Sequence, residues 1–364
     1  MAAADRAGAI LEVDLGAIVS NWRLLKERHP AGPVAGVVKA DGYGLGAGPV
    51  ASALYAAGCR HFFVALLDEA LAICKAVPDA MVAVLGGLIP GSEGEFLAHD
   101  VVPVLGSLNE IDAWTALARS MGRALPALVH IDTGMSRLGL DARELVALQQ
   151  DHARLAGIDL RYVMTHLVAS EVAADPLNHA QRERFAIACD RLPRAPRSFA
   201  NSSGIFLGDG WSSDLARPGA ALYGINPTPG SANPMWPVAR LRARVLAVRE
   251  VPTGTGVGYN ATWHASRPTR VATAAIGYAD GLHRSLSNRG RAFFDGKPVP
   301  LVGRVSMDLT TFDVTEAPGV VSGSWLEIIG PAQTADDLAL AARTNGYEVL
   351  TSLGRRFHRT YTPA

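Results

Sequence analysis

The chain is short of lysine, cysteine and net charge. Among its 364 residues only Lys26, Lys39, Lys75 and Lys297 are lysines, and the remaining 30 of 34 cations are arginine. Basic and acidic residues balance at 34 each, which argues against a nucleic-acid binder or a basic membrane-surface protein. Cysteine is scarce and odd in number: Cys59, Cys74 and Cys189 sit in apolar stretches, with no CxxC pair and no zinc-ligand spacing. They read as buried thiols in a reducing cytoplasm, with no metal site expected. No run of about 18 apolar residues is present, so no membrane span is expected. Residues 1–8 are small and polar, without the apolar stretch of a secretory leader. The Asn201-Ser202-Ser203 sequon is therefore not read as a glycosylation site.

What is present is alternation. Short apolar runs at residues 34–39, 61–66, 81–86, 101–105, 127–131, 160–166, 198–200 and 214–217 are separated mostly by helical patterns at 47–57, 68–76, 109–121, 141–150 and 178–191. Asn109 and Asp141 stand as N-caps. Near-continuous apolar strands between helices imply a parallel sheet covered on both faces. Eight of them predict an N-terminal (β/α)8 TIM-type barrel, with an open doubly wound sheet as the alternative. A Pro/Gly/Asn-rich connector spans 226–234, and the text beyond it is β-rich: 240–251, 270–277, 299–305, 309–314 and 326–329, with an Asp295-Gly296 hairpin turn and one helix capped by Thr334. The expected division is a barrel over 10–230 and a mostly β C-terminal domain over 231–364, which residues 1–9 can join; a first strand expected at 9–15 precedes the barrel and can pair with that domain.

Residues at the C-terminal ends of barrel strands are where chemistry is expected. Lys39 closes the first apolar run, Val34-Ala35-Gly36-Val37-Val38. A desolvated lysine favours the free amine, which forms Schiff bases, although a lysine in that place can also snorkel to the rim. The seventh run ends in Asn201-Ser202-Ser203-Gly204 and the eighth in Arg217-Pro218-Gly219-Ala220. Hydroxyls, glycine amides and an arginine at adjacent strand ends suit a phosphate and the group attached to it. Together with Lys39 they point to pyridoxal phosphate. Arg137, after the fifth strand, suits a substrate carboxylate. His166, ending the sixth, suits an acid/base or a flat support for a ring, and each of these two alone also fits a purely structural role.

At this point the sequence resembles the alanine racemases over essentially its whole length. The segments that carry the resemblance are Val37-Val38-Lys39-Ala40-Asp41-Gly42-Tyr43-Gly44, Asp132-Thr133-Gly134-Met135-Ser136-Arg137-Leu138-Gly139, Arg217-Pro218-Gly219-Ala220-Ala221-Leu222-Tyr223-Gly224, Gly277-Tyr278-Ala279-Asp280-Gly281 and Ser306-Met307-Asp308. The resemblance implies a head-to-tail homodimer with shared active sites, alanine as substrate, and D-alanine supply for peptidoglycan. Lys39 would be the Schiff-base lysine and one base. Tyr259, in Val257-Gly258-Tyr259-Asn260, would be the second base, delivered by the partner subunit. Tyr43, Ser202, Gly219, Ala220 and Tyr347 would hold the phosphate, Arg217 would contact the pyridine nitrogen, and His166 would lie near the ring. Arg137 and Met307 of the partner subunit would hold the substrate carboxylate, while Tyr278 and Tyr347 narrow the entrance.

One departure stands out. Many relatives carry a carbamate-modified lysine where this chain has His130, so no carbamate is expected and Arg137 needs another support: water, chloride or a carboxylate. Other readings on the same residues are a basic-amino-acid decarboxylase, a racemase of broader small-amino-acid specificity, a non-enzymatic pyridoxal phosphate-binding protein and a Schiff-base aldolase barrel. The decarboxylases carry a cysteine motif in their C-terminal part, whereas Cys189 is the last cysteine here. The non-enzymatic proteins resemble the barrel alone.

Overall fold

Seven parallel strands run in chain order around one sheet, and a separate, mostly antiparallel sheet takes strands from near both ends of the chain, which pair in parallel with each other. The computed structural model describes residues 4–364. The parallel strands are Gly36–Val37, His61–Val64, Met81–Val84, Val101–Leu105, Leu125–His130, Ile158–Met164 and Arg197–Ser198. Successive side chains point to opposite faces, and both faces are apolar. Val37, Phe63, Ala83, Val104, Leu128 and Met164 fill the barrel interior. Phe62, Val64, Val82, Val84 and Val129 pack outward under the helices.

The expected eighth strand closes the barrel without forming a ladder. Ala216 bridges Val34, the Ala35 amide donates to Ala216 at 2.9 Å, and the Arg217 amide donates to Ala200 at 2.8 Å. Pro218, next in line, has no N–H to continue the pattern. The fold class is thus a curled (β/α) barrel of TIM type followed by a mostly β domain.

Two local expectations are corrected. The helix expected to be capped by Asn109 begins at Leu108, because the Ser107 hydroxyl caps it by accepting from the Glu110 amide at 3.3 Å. The run at 299–305 is a strand only over Lys297–Pro300. Helix Leu15–Arg28, which carries Lys26, is capped by Asp14 and buries Ile18, Val19, Trp22 and Leu25. The strand expected at 9–15 is present as Ala9–Asp14 and belongs to the sheet of the β domain. There it lies between the 13-residue strand Ala239–Val251 and the final strand His358–Thr362. Leu241, Ala243 and Val245 face the core of this sheet. Arg240 and Arg242 on its other face pair with Glu327 and Glu12. The turn expected at Asp295-Gly296 is present, with φ of 47° and 75°, between Arg291–Phe294 and Lys297–Pro300.

The β domain grips the barrel rim just after Lys39. The Arg359 guanidinium donates to the Gly44 carbonyl at 2.6 Å. A Cβ on Gly44, whose φ is +82°, would lie 2.2 Å from the Leu350 carbonyl oxygen in helix Gly346–Thr351. Gly44→Ala therefore meets both backbone strain and a rigid neighbour, and should lower stability by about 2–4 kcal/mol. Gly48→Ala, with nothing within 4 Å of its Cβ, serves as the control and should be neutral or slightly stabilising. Denaturant unfolding of both variants checks this, and equal midpoints would contradict the grip.

Candidate active site

Lys39 stands where the first strand gives way to a left-handed turn. Ala40, Asp41, Gly42, Tyr43 and Gly44 have φ of 53°, 54°, 62°, 54° and 82°. The turn closes through Gly42 N–H to Val38 O at 2.8 Å and Gly44 N–H to Ala40 O at 2.7 Å. Three of the five residues carry a Cβ, and each such residue in this region costs about 1–2 kcal/mol. Asp41 offsets part of that cost by accepting from the Ala47 amide at 2.9 Å.

The turn delivers Tyr43 across the barrel mouth. Its ring stacks on Tyr223 at 4.6 Å, and Tyr223 donates in turn to the Val37 carbonyl at 3.0 Å. A Cβ on Gly219 would fall 2.1 Å from the Tyr43 hydroxyl, so only glycine admits the phenol there. Burial pushes the Tyr43 phenol up to about 12, leaving it a neutral donor. Beside it the Ser202 hydroxyl accepts from the amides of Gly219 and Ala221 at 3.1 and 3.2 Å. Asn201 shapes this loop, accepting from Ser170 and from the Gly204 amide, both at 2.8 Å.

Arg217 is only 5 % exposed. Its guanidinium donates to the Ser198 hydroxyl and, at 2.6 Å, to the Thr165 carbonyl; neither partner is charged. Burial lowers it to about 10, still a cation at neutral pH. His166 is pushed down to about 3 by burial, with Arg217, Arg137, Lys39 and His130 adding to the effect. His130 is pushed down to about 4, again by burial first and then Arg217. Both imidazoles are neutral. Lys39 is lowered by burial and by Arg137, with Glu69 opposing.

A cavity of about 450 Å³ brings Lys39, Tyr43, His166, Asn201, Ser202, Arg217, Gly219, Ala220 and Tyr347 together. Arg137 is not part of its wall but is near enough to act on the charges of Lys39, His130 and His166. The loop carrying Arg137 is folded by Asp132, whose carboxylate accepts from the amides of Gly134, Met135 and Ser136, each at 2.9 Å. Tyr259, Tyr278 and Met307 are not in the cavity. They stand 71 %, 44 % and 54 % exposed on the β domain. Tyr278 and Met307 are neighbours there, through Tyr278 N–H to Ser306 O and Ala279 N–H to Met307 O, both at 3.0 Å.

Sequence reasoning missed several partners. Tyr347 donates to Glu171 at 2.6 Å, and both line the cavity. Tyr223, Ser198 and Thr165 support the residues that were found. Tyr223 lies within a quoted motif, Thr165 directly precedes His166 and Glu171 follows it closely, but no spacing marks any of the four as a partner. The donor set fits pyridoxal phosphate. Ser202, Tyr43 and the Gly219–Ala220 turn offer hydroxyls and amides to a phosphate. Arg217 offers a buried donor to a ring atom, and Lys39 offers a desolvated amine.

Comparison with known proteins gives the family. The family described as alanine racemase, N-terminal domain, matches residues 13–227, and alanine racemase, C-terminal domain, matches residues 238–361. The alanine racemase of Acidiphilium cryptum is 54 % identical over 349 residues, covering 96 % of this chain and 97 % of that protein. The protein of Mesorhizobium japonicum named alanine racemase, catabolic, is 50 % identical, covering 98 % and 93 %. The crystal structure of alanine racemase from Bartonella henselae with covalently bound pyridoxal phosphate superposes with a TM-score of 0.95 at 40 % identity, covering 98 % and 100 %.

The neutral state of His166 has a consequence for acid stability. Its folded value of about 3 lies below the ordinary 6.5, so between these values the unfolded chain binds the extra proton. Stability then falls as pH drops through that window, by up to about 1.4 kcal/mol per pH unit for one such group. His166→Gln should lose less stability than wild type between about pH 7 and pH 5 in denaturant titrations. Equal losses would show that His166 is not held neutral.

Proposed function

We propose, from the fact that the chain belongs to the alanine racemase family, that it interconverts L- and D-alanine with Lys39 and Tyr259 as its two bases. It is an amino-acid isomerase that uses pyridoxal phosphate. When bound, the cofactor supplies a conjugated electron sink that acidifies the α-hydrogen of an amino acid joined to it. Racemisation removes that proton on one face and returns one on the other, so a base is needed on each face.

Lys39 provides the first base: its desolvated amine can take or return the α-proton. Tyr259 of the partner subunit would serve the opposite face. Arg137, with Met307 of the partner subunit, would hold the substrate carboxylate. Asp132 presents Arg137 through its loop rather than by an ion pair, and its oxygens are occupied by three amides. With His130 neutral, no charged side chain replaces the carbamate at that position. Tyr43, Ser202, Gly219, Ala220 and Tyr347 would hold the phosphate, with Asn201 shaping that loop and His166 lying by the ring. Arg217 keeps its own proton at neutral pH. It would therefore leave a ring nitrogen unprotonated, which weakens the electron sink and limits side reactions. Tyr278 and Tyr347 would restrict the entrance to a small amino acid. The physiological reading is supply of D-alanine for peptidoglycan by a cytoplasmic homodimer.

The observation that carries this reading is the separation of the two bases. Lys39 lines the cavity, whereas Tyr259 is 71 % exposed on the β domain. A second copy that brings its β domain over the cavity supplies the missing face.

Two measurements test it. Tyr259→Phe should abolish most racemisation yet retain α-proton exchange with solvent on one enantiomer, expected to be D-alanine. Mixing Lys39→Ala with Tyr259→Phe subunits should restore roughly a quarter of wild-type activity, since half the randomly exchanged dimers are mixed and each holds one complete site. Properly exchanged mixtures without activity would sink the shared-site reading.

A further inference from the structure

We infer that Glu69 is the positioning residue of Lys39: its carboxylate pins the left-handed turn that follows the lysine and so fixes where the amine stands. This rests on the reading of Lys39 as the cofactor-binding amine.

Glu69 is the third residue of helix Leu67–Ile73, where a glutamate ordinarily reaches back to its own N-cap amide. One oxygen does so. Oε2 accepts from the Leu66 amide at 3.2 Å and from Ala65 at 2.7 Å. The other leaves the unit: Oε1 accepts from the Ala40 amide at 2.6 Å. Ala40 follows Lys39 directly and is the first of the five residues at positive φ. A single carboxylate thereby ties the ends of two neighbouring parallel strands through charge-assisted bonds. A backbone in this region persists only where its surroundings over-determine it. Asp41 and Arg359 hold the far end of the turn, and Glu69 holds the end that bears Lys39.

The same fastening occurs elsewhere on the rim. Glu144, third in helix Ala142–Gln150, reaches its own cap amide at Asp141 and crosses to the Leu108 amide of the preceding unit at 3.0 Å. The device is general to the barrel, and what it fastens at Glu69 is the lysine. Glu69 also adds a negative charge that opposes the effects of burial and Arg137 on the Lys39 amine, while His166 facing it is neutral.

The test uses the full chain, stripped of cofactor with hydroxylamine and reloaded with pyridoxal phosphate. Reloading is followed by near-visible absorbance against pH, and the attachment site is mapped after borohydride reduction. Glu69→Gln keeps the length but sets an N–H donor against one of the bound amides and removes the charge. It should reload about 10–100-fold more slowly, with the pH midpoint of reloading moved down. Glu69→Asp keeps the charge but is too short to span both strands, so it should reload slowly with no downward move. Glu144→Gln should lose comparable thermal stability and reload as wild type does. Glu69→Gln with the rate and midpoint of Glu144→Gln would reduce Glu69 to a helix cap and overturn the inference. If Glu69→Gln does not fold, the same comparison is decided by Glu69→Asp. Borohydride labelling of wild type at Lys26, Lys75 or Lys297 would sink the reading of Lys39 itself instead.

Discussion

A guanidinium sealed at the mouth of an apolar barrel is the constraint around which the site is arranged. Arg217 emerges from the closing segment with two uncharged partners, the Ser198 hydroxyl and the Thr165 carbonyl. A buried charge without a counter-ion is costly, and its field is felt by the groups around it. Burial and this cation together keep His166 and His130 neutral, and burial with Arg137 lowers Lys39. The cavity is therefore a place where the amine loses its proton more readily than in water, imidazoles are uncharged and hydrogen-bond donors converge. An acidic, phosphate-bearing ring is the kind of guest such a place favours.

Holding the amine requires a backbone that ordinary residues avoid. The left-handed turn after Lys39 places Tyr43 over Gly219, where no side chain fits, and lets Gly44 approach the helix that carries Tyr347. The turn is fastened from the barrel by Asp41 and Glu69 and from the β domain by Arg359. The β domain is in this sense part of the site even though its exposed tyrosines lie outside the cavity. Strand Ala9–Asp14 strengthens the union: it lies in the mixed sheet of the β domain, and the chain then crosses to the barrel.

Much of this was legible in the residues. Apolar runs buried on both faces announced the parallel strands, and the lone lysine ending the first of them announced the amine. The hydroxyl and glycine strand ends at Ser202 and Gly219 announced an anion site. Local chemistry also misled where several residues could do one job. Asn109 and Ser107 are both competent caps, and the helix uses the serine, whose hydroxyl accepts from the Glu110 amide.

The sequence by itself determined the fold class, the order of the elements and the strand-end groups Lys39, His166, Ser202 and Arg217, because burial periodicity and residue chemistry are local properties. The tertiary structure decided what those groups are. It gave Arg217 two uncharged hydrogen-bond partners, gave Tyr347 to Glu171, and sent the Glu69 carboxylate across to the amide beside Lys39. It also left Tyr259 outside the cavity that holds Lys39. Charge state, hydrogen-bond partner and separation depend on which strands become neighbours, and contacts between residues far apart in the chain leave no periodic trace in it.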